Sequence, residues 1–179
     1  MEHEETLRDE TRNFAFFGPT ENYFIPAGGF CISVFAVVRR NGKVLLVKPK
    51  QDTRWQEWAP NWRVYEPASL TADMAKWRIP STYVREGEAP EGGLRRVMED
   101  QLGVAHYSAS QPKLLNFYEP SRRFPGKMHW DYCFVFEVAT DEQAQEKPWL
   151  AEIAFIDPSI PGPELGSAQG DILKALGSR

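Results

Sequence analysis

Residues 77–104 read Trp-Arg-Ile-Pro-Ser-Thr-Tyr-Val-Arg-Glu-Gly-Glu-Ala-Pro-Glu-Gly-Gly-Leu-Arg-Arg-Val-Met-Glu-Asp-Gln-Leu-Gly-Val. Residues 77–84, rich in aromatic and β-branched side chains, are read as a strand. Charge and glycine then end the apolar run, and from Pro90 the chain carries the marks of a helix. Proline is tolerated at a first helical position, and Gly103 suits the left-handed residue that closes a last turn. At roughly 100° per residue, Leu94, Met98 and Leu102 form a core stripe, with Val97, Asp100 and Gln101 to one side of it and Glu99 pointing away. Gly92 and Gly93 each cost such a helix about 1 kcal/mol against alanine. Close packing of helix on sheet is the expected reason for them.

Working outward, residues 30–38 and 43–47 flank Asn41-Gly42, the strongest short-range signal for a hairpin with a type I′ turn. Residues 51–76 form a segment rich in Trp and Pro that has the character of an insertion. Residues 113–118 and 129–138 are read as two strands joined by a basic loop. Along the second, Trp130, Tyr132, Phe134, Phe136 and Val138 share one face, while His129, Asp131, Cys133, Val135 and Glu137 share the other. A short strand at 153–155 and a helix at 167–176 close the chain. Hairpin, strand, helix, two strands, strand and helix interleave as in a mixed sheet sandwiched between helices. The expected organisation is an N-terminal extension over 1–20 and a single domain over 21–179.

The chain has 179 residues, 42% hydrophobic and 13% aromatic, enough for a sizeable core without disulfides. Its longest apolar run, 30–38, is far too short to span a bilayer. The opening Met-Glu-His-Glu-Glu lacks the basic and apolar parts of a signal peptide. Cys31 and Cys133 lie in apolar strand-like runs, where a free buried thiol is the usual state, so a cytoplasmic location is expected. A net charge of −4 argues against bulk attraction to nucleic acid or anionic membrane. Charge is uneven along the chain. Glu2, Glu4, Glu5, Asp9 and Glu10 crowd the start, while Lys113, Arg122, Arg123 and Lys127 gather in and beside the loop after the first of the two late strands. Such a basic loop on an acidic protein suits a small anionic ligand or a solvated hairpin tip.

With Glu88, Arg96, Gly103 and Val104 as anchors and Pro80 and Gly87 in step, residues 77–104 resemble the Nudix box without a gap. The resemblance extends over roughly residues 28–176. It implies an α/β/α sandwich and Mg²⁺- or Mn²⁺-dependent cleavage of diphosphates linked to another group. In that chemistry hard cations on a carboxylate cluster neutralise the diphosphate and help make the nucleophile. Three glutamates at i, i+3 and i+4 of the helix share such ions in the family. Here those positions are Val97, Asp100 and Gln101. Valine cannot ligate, aspartate is shorter, and glutamine offers only a neutral oxygen. The glycine pair of the family is Ser81-Thr82 here. The run at 96–103 is similar to that of the GDP-mannose mannosyl hydrolases, a branch that uses fewer metal ligands and attacks at carbon, though that branch keeps an acid where this chain has Gln101.

The resemblance carries a metal role onto Asp100, Glu88 and Gln101. It makes Arg96 the residue that orients the acids by charge-assisted hydrogen bonds. Favourable charge at a helix N-terminus is the structural alternative for Glu88 and its neighbours Glu86 and Glu91. His129 is a candidate general base as the side-chain type that titrates near neutral pH, and a surface histidine otherwise. Glu119 is a second candidate, because the family draws this residue from a late loop. Trp55, Trp58, Trp62, Trp77 and Tyr65 offer rings for stacking on a base or sugar, with Arg54, Arg63, Arg122 and Arg123 for phosphate. The alternative for the rings is a long loop burying its own aromatics.

Two functions follow. One is a divergent hydrolase of a nucleoside diphosphate joined to another moiety, such as a sugar. The other is a non-catalytic module on the same fold, binding a nucleotide or a protein partner.

Overall fold

The computed structural model describes residues 29–50, 76–120, 126–158, 164–166 and 169–177. The expected N-terminal extension, the Trp-rich insertion with Arg54, Trp58 and Arg63, and the loop residues Arg122 and Arg123 lie outside these residues.

The chain starts with the expected hairpin. Strand β1 (Phe30–Arg40) turns into β2 (Lys43–Pro49), with Arg39 opposite Val44 and Arg40 opposite Lys43. Asn41 at φ 49° and Gly42 at φ 75° supply the two positive angles that a type I′ turn requires. Past those two pairs β2 leaves β1 and pairs antiparallel with β7 (Leu150–Ile156). The outer part of β1 pairs instead with β3 (Ser81–Tyr83), Val34 facing Thr82.

The strand expected over 77–84 is therefore shorter and divided. Arg78 bridges Val47 and Trp77 bridges Leu165 before the chain reaches β1. The divide falls at Pro80, which has no N–H to give a ladder but whose carbonyl accepts from Ala36 N at 2.9 Å.

The remaining strands are β4 (Ser108–Ala109), which the sequence did not announce, β5 (Lys113–Pro120) and β6 (Met128–Ala139). β6 pairs antiparallel with β4 and β5 and parallel with β1, from Phe30 opposite Trp130 to Arg39 opposite Ala139. Among the described residues the result is a mixed seven-stranded sheet whose main path runs β4-β6-β1-β2-β7.

Each face of the sheet carries a helix. Helix α1 (Pro90–Arg95), continued by a π-helical segment (Arg96–Gln101), packs Leu94, Val97, Met98 and Leu102 against Val34, Ala36, Phe136 and Val138. Helix α2 (Gln169–Ala175) packs Ile172 and Leu173 against Val37, Leu46, Cys133 and Val135 on the other face. The period-2 alternation of β6 thus feeds two cores, and the architecture is an α/β/α sandwich. Gln169, buried at the start of α2, ties that helix to the sheet by accepting from Ile79 N. Among the described residues, no helix is long and apolar enough to cross a membrane.

Candidate functional site

The turn between β3 and α1 sets the site's frame. Gly87 takes φ 72°, Glu88 N donates to Arg85 O at 3.0 Å, and Arg85 N donates back to Glu88 Oε2 at 2.9 Å. Glu88 is thereby aimed at Arg96, nearly two turns into the helix. Arg96 Nε donates to Glu88 Oε1 at 2.8 Å and Nη2 to Glu88 Oε2 at 2.6 Å, a bidentate pair with both side chains under a fifth exposed. Arg96 also donates from Nη1 to Thr82 Oγ1 at 3.0 Å and from Nη2 to Tyr83 O at 2.7 Å. The Arg96 hydrogen bonds, aided by that from Arg85 N, hold the Glu88 carboxyl down from 4.5 to about 2 against the opposing effect of burial. Expected as a metal support, Glu88 has both oxygens engaged by Arg96. Expected to orient the acids, Arg96 reaches Glu88 and the β3 backbone.

Of the three helix positions the family gives to metal, Val97 is expected not to ligate, and Asp100 and Gln101 take different surroundings. Leu102 N donates to Val97 O at 3.1 Å, an i→i−5 bond, so the helix is widened over Arg96–Gln101. In such a turn, positions i, i+3 and i+4 no longer follow the α-helical spacing that would stack them on one face. Val97 is 0% exposed and belongs to the core. Asp100 is exposed. Gln101 is half-buried, and its Nε2 donates to Ser81 O at 2.9 Å, at the place of the family's glycine pair. Among the described residues, no three His, Cys, Asp or Glu side chains gather where they could hold an ion. Mg²⁺ needs several hard oxygens in near-octahedral array. Among the described residues, the arginine-bound carboxylate of Glu88, the backbone-tied Gln101 and the single exposed carboxylate of Asp100 fall short of that array.

His129 and Glu119 face each other across β5 and β6, and His129 Nδ1 lies 3.1 Å from Glu119 O. A carbonyl oxygen only accepts, so in this contact Nδ1 is the donor. Both side chains share the strand parity of Asp131, Cys133 and Val135, the face that α2 packs, whereas Arg96 and Glu88 belong to the α1 side. The structure brings Glu88, Arg96 and Gln101 together around β3, and brings His129 and Glu119 together elsewhere.

Two groupings had no sequence signal beyond strand alternation. On the α1 face, Trp130 and Tyr132 stack at 6.1 Å with Phe30 edge-on to Tyr132 at 6.3 Å, and Tyr118 leans on Trp130 at 5.3 Å. Ile32 O accepts from Val84 N at 3.0 Å, which joins this aromatic shelf to the loop leading into the box. On the α2 face, Asp131 Oδ1 accepts from Ser33 Oγ at 2.8 Å and Cys31 Sγ at 3.2 Å. Burial first, and the Asp131 charge second, push both the Cys31 and Cys133 thiols up.

With this geometry in hand, the chain can be placed among known folds. It resembles the MutT protein of Methanosarcina mazei Go1, with a TM-score of 0.60 at 17% identity over 83% of this chain and 93% of that one. It also resembles the Nudix domain of Shewanella oneidensis NrtR in complex with ADP ribose (TM-score 0.55, 13% identity, 95% of this chain and 96% of that one). A third likeness is to a UDP-X diphosphatase (TM-score 0.51, 16% identity, 100% of this chain and 73% of that one). The fold is the Nudix fold. No protein-family profile matches the chain, and no curated protein matches its sequence.

Proposed function

We propose that this chain is a binding module on the Nudix fold, which recognises a nucleoside diphosphate joined to a further group without cutting it by the metal-dependent route. The observation that carries this reading is the closure of the box upon itself: Val97 in the core, Gln101 on Ser81 O, and Glu88 clamped by Arg96. Of the side chains that would hold hard cations, Glu88 and Gln101 serve the scaffold and Asp100 alone stays exposed, so the box supplies position with little Lewis acidity.

Two further points support the ligand class. The Shewanella oneidensis domain of the same fold was solved with ADP ribose, and the UDP-X diphosphatase is named for a diphosphate-linked nucleotide. The aromatic shelf of Phe30, Trp130 and Tyr132 offers flat faces beside the box loop, where a base or sugar ring can stack. Arg54, Arg63, Arg122 and Arg123 are the side chains proposed for the phosphates, with Trp58 as a further stacking ring.

The test is calorimetric titration with ADP ribose and a set of nucleoside diphosphate sugars, in EDTA and in Mg²⁺, with mass spectrometry of every mixture. Binding that is equal in EDTA and Mg²⁺, weaker in Trp58→Ala and Arg54→Ala, and accompanied by intact ligand is the expected result. The opposing hydrolase reading rests on Asp100, the one exposed carboxylate among the three box positions. Mg²⁺- or Mn²⁺-dependent turnover that disappears in Asp100→Ala would establish that reading in place of this one.

A further inference from the structure

Asn116 lies in the middle of β5, where its residue type is out of place. Asparagine is depleted in strands, because its short amide packs poorly on a pleated surface and competes for backbone hydrogen bonds. Here it makes no such bond. Among the described residues, no hydrogen bond or ion pair holds the Asn116 side chain, and it is exposed. A residue that breaks a local rule without a structural gain is expected at a functional position.

The register shows what surrounds it. Asn116 is opposite Tyr132 and Tyr118 opposite Trp130, while across β6 Phe30 is opposite Trp130 and Ile32 opposite Tyr132. All six therefore stand on the α1 face in two rows of three, Tyr118-Trp130-Phe30 and Asn116-Tyr132-Ile32. Phe30, Ile32 and Tyr118 are 41%, 37% and 48% exposed. Asn116 is the one aliphatic amide in the two rows, the one group there that holds a donor and an acceptor side by side in a plane. Directly opposed side chains start about 4.5–5.5 Å apart at Cβ, so this amide borders the Tyr132 ring.

We propose that Asn116 is the specificity-determining residue of the aromatic shelf: it hydrogen-bonds the edge of the ring stacked on Trp130 and Tyr132, and it selects adenine. The inference rests on the nucleotide reading above. Stacking by itself is indifferent to the base, since every base has a π face. Selection comes from a directed polar group at the rim of the stack. The Asn116 side-chain oxygen accepts from the N6 amine of adenine while its N–H donates to N7, the bidentate match of asparagine to that base. Guanine presents two acceptors, O6 and N7, on the same edge and leaves the amide oxygen unpaired. A hydrogen-bonding group that a ligand leaves unmet on binding costs more than its removal from both sides.

The test is calorimetric titration of the full chain in EDTA, with ADP ribose and with the analogue whose purine carries hydrogen in place of the N6 amine. Wild type should bind ADP ribose roughly tenfold tighter than the analogue, the worth of one hydrogen bond. That comparison changes only the ligand and needs no variant. In Asn116→Leu, and in Asn116→Val as a second apolar replacement, the two probes should bind equally. An asparagine with a merely structural role would lower both affinities by one factor and leave their ratio as it was. Equal binding of the two probes by wild type, or a preference that survives in the apolar variants, would overturn this inference and leave the nucleotide reading standing. Failure of wild type to bind either probe would overturn both.

Discussion

Arg96 meets Glu88, Thr82 and Tyr83 with one guanidinium, and its worth can be read from the acid limb of stability. The Glu88 carboxyl, with a side chain 17% exposed, is held at about 2 in the fold against 4.5 outside it. At 1.36 kcal/mol per unit that depression sets a ceiling of about 3 kcal/mol, which solvent screening near the surface lowers. Because the folded value is the lower one, this stability is fully present above pH 4.5 and is lost as pH falls through about 2. Glu88→Gln is therefore expected to lose about 1–2 kcal/mol at neutral pH, with the gap to wild type closing as the acid limit is approached. Urea unfolding at a series of pH values measures it, and a variant as stable as wild type at pH 7 would show that the pair contributes nothing. The sequence marked Glu88 and Arg96 but could not say that they would saturate each other. That depends on the turn at Gly87 and on the distance along the helix, both settled in three dimensions.

The helix of the box shows which local rules held. Its start at Pro90 and its stop at Gly103, φ 67°, were legible because capping is decided within one or two turns of chain. Its paired glycines were legible as anomalies, and packing explains them. A Cβ at Gly93 would stand 2.9 Å from Val34 Cγ2, and one at Gly92 would stand 2.8 Å from Cγ of the clamped Glu88. Gly93→Ala is thus expected to destabilise the protein although alanine gains about 1 kcal/mol of helix propensity. A thermal melt of Gly93→Ala checks the sign, and a raised melting temperature would mean that α1 can move off β1. What the pattern of apolar positions could not disclose is the π-helical turn. Leu94, Met98 and Leu102 are buried as the α-helical stripe requires, yet the ladder widens beneath Val97–Leu102 and fans positions 97, 100 and 101 from core to solvent. Periodicity reports which residues are apolar, and both ladders bury the same apolar residues here.

At the scale of the molecule, the sheet sets the state of the two cysteines. Cys31 and Cys133 lie on neighbouring parallel strands, beside Asp131, with thiols raised by burial and by that negative charge. A thiol whose ionisation is pushed up stays protonated in mildly alkaline solution and reacts slowly. Ellman's reagent at pH 8 is expected to find both thiols protected in the native chain and both reactive in guanidinium. Prompt reaction of one equivalent under native conditions would place Cys31 outside the packed sheet. By itself the sequence determined the hairpin at Asn41-Gly42, the two-faced alternation of β6, the ends of the box helix and the sandwich class. Each of these rests on turn, cap or period, physics that operates over a few residues. Only the tertiary structure decided that β1 lies parallel to β6, that Ser33 and Asp131 meet across 98 positions, and that His129 and Glu119 project from the face opposite Arg96. Contacts so distant along the chain are chosen by which faces of the whole sheet can be buried together, a collective quantity that no local window of sequence contains.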